Sequence, residues 1–185
     1  MDFDWIRPRI SILYASGDNN PFDNEANGFD AIFENPQFAG SDTSYWIRQN
    51  MPLVGGGRVT LSSRNGILNS LRSSKEQGQS NFTNPGTRLF GVGVDMDLTP
   101  ELRFSANANQ LYFDTTEVLE VARNQSDIDT DIGQDVSLSL IYRPFMTQNI
   151  VLRASYARLF GGQGFNDLFE DENLDYFLFN AVLSY

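Results

Sequence analysis

Hydrophobic and polar residues alternate along much of the chain, and the last eleven residues, DYFLFNAVLSY, show the pattern clearly. Phe177, Phe179, Ala181 and Leu183 fall at every second position behind the terminal Tyr185, with Leu178, Asn180, Val182 and Ser184 between them. Period two places the first set on one face of a strand and the second on the other. One face is wholly apolar and the other is mixed. IVLRASYARLF repeats the arrangement, with Ile150, Leu152, Ala154 and Tyr156 against Val151, Arg153, Ser155 and Ala157. DIGQDVSLSLIYRPF sets Val136, Leu138, Leu140 and Tyr142 against Asp135, Ser137, Ser139 and Arg143. RLFGVGVDMDL and LRFSANANQLYF place Phe90, Val92, Val94, Met96, Leu98, Leu102, Phe104, Ala106, Ala108 and Tyr112 on apolar faces, opposite Asp95, Asp97, Arg103, Ser105, Asn107 and Asn109. DWIRPRISILYAS gives Ile10, Ile12 and Tyr14 against Arg7, Arg9 and Ser11.

These runs predict six strands of about ten residues, the length a tilted strand needs to cross a bilayer. Tight joins at Thr99 to Glu101 and Met146 to Asn149 alternate with long ones at Gly17 to Thr87, Asp114 to Thr130 and Gly161 to Leu174. Short periplasmic turns and long extracellular loops alternate in this way in outer-membrane barrels. Aromatic residues gather toward strand ends, at Trp5, Tyr14, Tyr112, Tyr142, Phe145, Tyr156, Phe160 and Tyr185, as interfacial girdles do. The expected fold is therefore all-β: an antiparallel transmembrane β-barrel, about six strands of a larger barrel, with short periplasmic turns and long extracellular loops. Residues 1–185 are expected to be the C-terminal segment of one barrel domain, carrying a long loop over 17–87. A soluble β-sandwich, which also alternates, is the competing expectation.

Composition narrows the chemistry. With 13 basic and 24 acidic residues, the formal net charge of −11 argues against a nucleic-acid partner, which requires a basic footprint. The chain has no cysteine and no histidine, so thiolate metal sites and Ser-His-Asp hydrolysis are excluded for these residues. No run approaches the roughly 18 apolar residues of a membrane helix. No enzymatic activity and no cofactor are expected. The mean hydropathy of −0.33 is uninformative, because a barrel wall hides its apolar residues at alternate positions.

Several stretches resemble the C-terminal part of the alginate-export porin family, monomeric barrels of the Gram-negative outer membrane. They are YASGDNNPFD (Tyr14 to Asp23), FAGSDTSYW (Phe38 to Trp46), GILNSLRSSK (Gly66 to Lys75), DLTPELR (Asp97 to Arg103), YRPF (Tyr142 to Phe145) and NIVLRA (Asn149 to Ala154). The resemblance implies an outer-membrane channel for an anionic polysaccharide or related acidic solutes. It also makes Phe177, Phe179, Leu183 and Tyr185 look like the signal read by barrel-assembly machinery. Expected partners are outer-membrane lipid and lipopolysaccharide, that machinery, and an anionic polysaccharide or small acidic solute.

Strand parity puts Arg7, Arg9, Arg103, Arg143 and Arg153 on the polar faces at one level of the wall, together with Asp95 and Asp97, and with Asn107 and Asn109 further along. Rings of arginine select anions, and a low-dielectric wall focuses their field. The alternative is that these arginines neutralise Asp95, Asp97 and Asp135 across strands. In the long loop, Asp18, Asp23, Glu25, Asp30, Glu34 and Asp42 precede a stretch whose charges, Arg48, Arg58, Arg64, Arg72 and Lys75, are all basic. That basic part is expected to fold into the barrel mouth as a constriction, with GGG (Gly55 to Gly57) as a bend and ILNSL as a short helical turn; docking on its own acidic half is the alternative. Acids in the three outer loops, including Asp127, Asp129, Asp167, Glu170, Asp171 and Glu172, are dense enough in oxygen ligands to admit a calcium reading, but DNNPFDNEANG lacks the ligand pattern and central glycine of a calcium loop, and solvated surface is the default expectation. A structural or adhesive barrel with a closed lumen and a general diffusion porin remain functional alternatives.

Overall fold

The computed structural model describes residues 4–20, 22–23, 25, 27–28, 39–40, 43–48, 85–146, 149–169 and 173–184, apart from the side chains at 47, 48, 122 and 146. Six strands follow the alternating runs: β1 (Ile6–Ala15), β2 (Thr87–Asp97), β3 (Leu102–Tyr112), β4 (Asp131–Tyr142), β5 (Ile150–Gly161) and β6 (Asn173–Leu183). They form one antiparallel sheet in the order of the sequence, each strand paired with the next. The sheet is open, so the described strands do not themselves close a barrel.

Two short turns lie at one end of the sheet. Thr99 and Leu102 exchange backbone hydrogen bonds across the β2 to β3 turn. Between β4 and β5 a short 3-10 segment, Pro144–Met146, turns the chain with Phe145 at a φ of 61°. Residue 143 precedes a proline, which holds it extended and ends the strand there. The long connections gather at the other end and contain three short helices: α1 (Tyr45–Arg48), α2 (Glu117–Arg123) and α3 (Gln163–Phe169). The alternation of strands does not announce these helices. Helix α2 carries Glu117 and Glu120 in its first turn and Arg123 in its last, the charge order its dipole favours, and it ends on Asn124 in the left-handed region.

Burial is inverted relative to a water-soluble sheet. One face exposes its apolar side chains: Ile10 is 83 % exposed and Phe177 69 %, with Ile12, Phe90, Val92, Leu138, Leu140, Phe179 and Leu183 also open. The other face buries Asn107, Asn109, Asp135, Ser137, Ser139 and Ser155. Soluble proteins place these residue types the opposite way round. At the loop end the polar face changes character. Leu89, Leu111, Phe113, Ile132 and Leu159 are fully buried there, packed with Trp46 of α1, Leu119 of α2, Ile128, and Phe165 and Leu168 of α3. At that end the polar face thus gives way to an apolar core under the loops.

The upper edge of the exposed apolar band runs obliquely to the strands. Toward the loop end, the first polar side chain on that face is Arg88 on β2, Gln110 on β3, Gln134 on β4, Arg158 on β5 and Asp175 on β6. Arg88 pairs with Tyr112, Gln110 with Gln134, Gln134 with Phe160, and Arg158 with Asp175. The edge therefore drops two residues from β2 to β3 and two more from β4 to β5. At about 3.3 Å per residue and about 4.8 Å per strand, that is about 13 Å along the strands over about 19 Å across them, an angle of about 35°.

Leu111→Ala is expected to lower the unfolding free energy by about 2–5 kcal/mol, because the cavity opens in a closed part of the core. The check is the denaturant midpoint at constant slope; a change below about 0.5 kcal/mol would show that the loop-end core does not bear on stability.

Candidate functional site: an arginine-lined recess

From the turn end to the loop end, the polar face carries three layers. Nearest the turns lie Arg7 and Arg9 of β1, Asp95 and Asp97 of β2, Arg103 and Ser105 of β3, Arg143 just beyond β4, and Arg153 of β5. The register makes this grouping: Arg7 lies opposite Asp95, Asp97 opposite Arg103, and Ile141 opposite Arg153. Above them sits a neutral layer of Asn107, Asn109, Ser137, Ser139 and Ser155, buried with the single carboxylate of Asp135. The apolar core closes the loop end.

The two aspartates of the charged layer are fully occupied. Asp97 is held between Arg7 and Arg103, accepting from Arg103 Nε at 2.6 Å. Asp95 accepts from Arg9 at 2.5 Å and from the Ser105 hydroxyl at 2.6 Å. Arg9 also donates to the Asn107 amide oxygen at 2.9 Å. Neutralisation across strands, the alternative raised by the sequence, therefore holds for Arg7, Arg9 and Arg103. It does not extend to Asp135, whose carboxylate is spent on backbone. The five guanidiniums of the layer outnumber its two carboxylates.

Asp135 is fully buried and accepts the Tyr45 N–H at 3.1 Å and the Trp46 N–H at 3.2 Å, the unsatisfied donors at the start of α1. This one residue of β4 brings the long loop down onto the wall. Asn109 Nδ2 adds a bond to the Ala39 carbonyl at 3.1 Å, as does the Trp46 indole N–H at 3.2 Å, and the Ser44 and Ser137 hydroxyls meet at 3.1 Å. Close approach of the loop also needs room on the wall. Gly91 and Gly93 provide it: a Cβ on either would strike the side-chain oxygen of Asn109 or Asn107, displacing the amides that meet the loop.

Below this anchored segment lies an open recess of about 610 Å³, lined by Ala39, Gly40 and Thr43 above, Ser105, Asn107 and Ser139 on the wall, and Arg9, Arg103, Arg143, Arg153 and Asp95 at its base. Such a chamber presents fixed positive charge and hydroxyl donors to whatever enters it, which suits a carboxylate, sulfate or phosphate group.

In the described part of the loop, Ala39, Gly40 and Thr43 to Trp46 lie against the polar face of the sheet. Arg48 ends α1, with its side chain outside the described residues. Arg58, Arg64, Arg72, Lys75, the GGG bend and ILNSL also lie outside them, as do Tyr185, Glu170, Asp171 and Glu172. Of the assembly-signal residues, Phe177, Phe179 and Leu183 sit exposed on the apolar face of β6. Among the loop acids, Asp167 accepts the Asp129 N–H at 3.0 Å, and Asp129 accepts the Asp131 N–H at 2.7 Å. No protein-family model, curated protein or solved structure matches the chain.

Asp135→Ala removes the acceptor of two buried N–H groups and is expected to cost about 1–3 kcal/mol for each group left unpaired. Local release is readable by fluorescence, because Trp46 is 0 % exposed and the other tryptophan, Trp5, can be replaced by Phe. Trp46 emission should shift to the red in Asp135→Ala while the far-UV strand signal persists. Unchanged emission would mean that the apolar core, not the carboxylate, holds the loop.

Proposed function

We propose that the chain is a wall segment of an outer-membrane β-barrel channel in a Gram-negative envelope, passing anionic polysaccharide or related acidic solutes without covalent chemistry. The observation that carries the reading is the pairing of an exposed apolar face with an opposite face that gathers five arginines around a recess. A lipid-facing wall needs the first, because hydrocarbon rewards apolar side chains and leaves no room for unpaired backbone. An anion path needs the second.

The oblique band supports the same reading. In a closed barrel the hydrocarbon boundary is level while the strands tilt by about 35–45°, so the boundary must climb across the hydrogen-bond rows at that angle. The observed slope of about 35° falls at the edge of this range. From Leu98 to Phe90 the apolar positions of β2 span eight residue steps. At about 3.3 Å each, foreshortened by that tilt, they make about 22 Å, close to the roughly 25 Å apolar band of such barrels. A soluble sandwich would have to cover this apolar face with a second sheet.

Polysaccharide as cargo rests on the resemblance of YASGDNNPFD, FAGSDTSYW, DLTPELR and the other matching stretches to the alginate-export porin family. Diffusion of small acidic solutes is the second reading, favoured by the loop segment Ala39 to Trp46 that covers part of the wall. Lipopolysaccharide and the assembly machinery are the partners such a barrel meets at the membrane.

In a planar bilayer under a salt gradient, the complete protein is expected to show a reversal potential of anion-selective sign, because the guanidiniums outnumber the carboxylates at the charged level. Cation selectivity, or no conductance, would leave the arginines as structural neutralisers of a closed or cation-passing barrel. Block of the current by long polyuronate would assign the polymer as cargo, and its absence would assign small solutes.

A further inference from the structure

Arg143 stands apart from the other arginines of the recess. Arg7, Arg9 and Arg103 are committed to Asp95 and Asp97. Arg143 makes no ion pair among the described residues, and its Nε is buried without a hydrogen-bond partner. Its backbone is nonetheless fixed, since its N–H donates to the Glu101 carbonyl at 2.8 Å and Pro144 follows it. The extended conformation imposed by that proline continues the alternation of Ser139 and Ile141, so the side chain enters the recess from the same face. Arg143 is only half-buried where it lines the recess, so the accessible part of its guanidinium is open to an anion, and that planar group suits a carboxylate.

The recess is open, and its volume of about 610 Å³ is enough to admit a small ligand. On the loop side it is roofed by Ala39, Gly40 and Thr43, and behind that roof Ser44, Trp46 and Asp135 are fully buried, so along this wall the space ends instead of continuing as a groove. We propose that Arg143 is the anion-docking residue of a subsite for a small carboxylate, such as a monomeric sugar acid, with the hydroxyls of Ser105 and Ser139 flanking the bound molecule. This rests on the channel reading and adds to it the substrate class and the residue that selects it. Arg7, Arg9 and Arg103 then serve to hold the wall together, with two carboxylates offsetting most of their charge.

The test uses the complete protein in planar bilayers, with chloride current titrated by glucuronate. Wild type should be anion-selective and blocked at saturating glucuronate. Arg143→Gln should weaken the half-block concentration by about 10- to 100-fold, the size of a lost charge-assisted bond. Arg9→Gln removes a recess charge already paired with Asp95 and should weaken it by a smaller factor than Arg143→Gln does. Arg143→Lys keeps the charge, loses the fork and should fall between, which preserves a readout if the Gln variant does not assemble. Equal half-block in wild type and both Arg143 variants, or an Arg9→Gln loss as large as that of Arg143→Gln, overturns the assignment. An anion-selective wild type that glucuronate does not block overturns the subsite and leaves the channel reading standing. A wild type without anion selectivity overturns both.

Discussion

Everything in this sheet depends on five strand pairings held in a single register. The side-chain period of a strand is two, so a slip of one residue in any pair would turn Ile10, Val92 or Phe179 into the arginine layer and send Arg9, Asp95 or Arg153 outward. No such slip occurs. The single irregularity falls between Leu111 and Tyr112, at the loop end, where the polar face has already given way to apolar core. Because the register is continuous, residues far apart in sequence reach the same level, and the charged layer, the neutral layer and the core form bands across the sheet.

The banding explains how a wall can carry so many arginines. Adjacent carboxylates take up three of them, and side chains half open to solvent hold those pairs at little desolvation cost. The neutral layer above contains serine hydroxyls and amides that bond one another and the loop, with the Asn109 amide oxygen left over, and Asp135 is the one ionisable group buried deep in it. The two backbone N–H groups it accepts at the start of α1 offset part of the cost of burying that carboxyl. Removing the loop would strip Asp135 of those partners, so wall and loop stabilise each other.

The strands were legible from sequence because alternation is a local signal. The apolar positions Phe90 to Leu98, Ile150 to Tyr156 and Phe177 to Leu183 mark their faces without reference to any other strand. The arginine layer followed from the same parity plus the short turns, which fix the levels of β2 against β3 and of β4 against β5. What sequence did not reveal was non-local. Asp135 meets Tyr45 across 90 positions, and nothing near either residue marks the pairing, so the sequence offers Asp135 only as an alternative partner for arginine. Ser44 and Trp46, which anchor the loop, carry no charge that would mark them in the sequence. Helices α2 and α3 have only seven residues each, two turns, too short for a helical period to emerge. One local hint was present: at Leu89 with Phe90, at Leu111 with Tyr112 and at Leu159 with Phe160, the loop ends of the strands are apolar on both faces, as strands covered on both sides are.

The central claim is that the exposed apolar face meets lipid and the arginine face does not. The chain has no native cysteine, so single cysteines at Val92, Leu138 and Phe179 on one face, and at Ser105 and Ser139 on the other, can each carry an environment-sensitive fluorophore in the complete protein reconstituted in vesicles. The account predicts quenching of the first three by nitroxides on the lipid chains and of the last two by aqueous iodide. Iodide quenching at Val92, Leu138 and Phe179 without lipid quenching would contradict it.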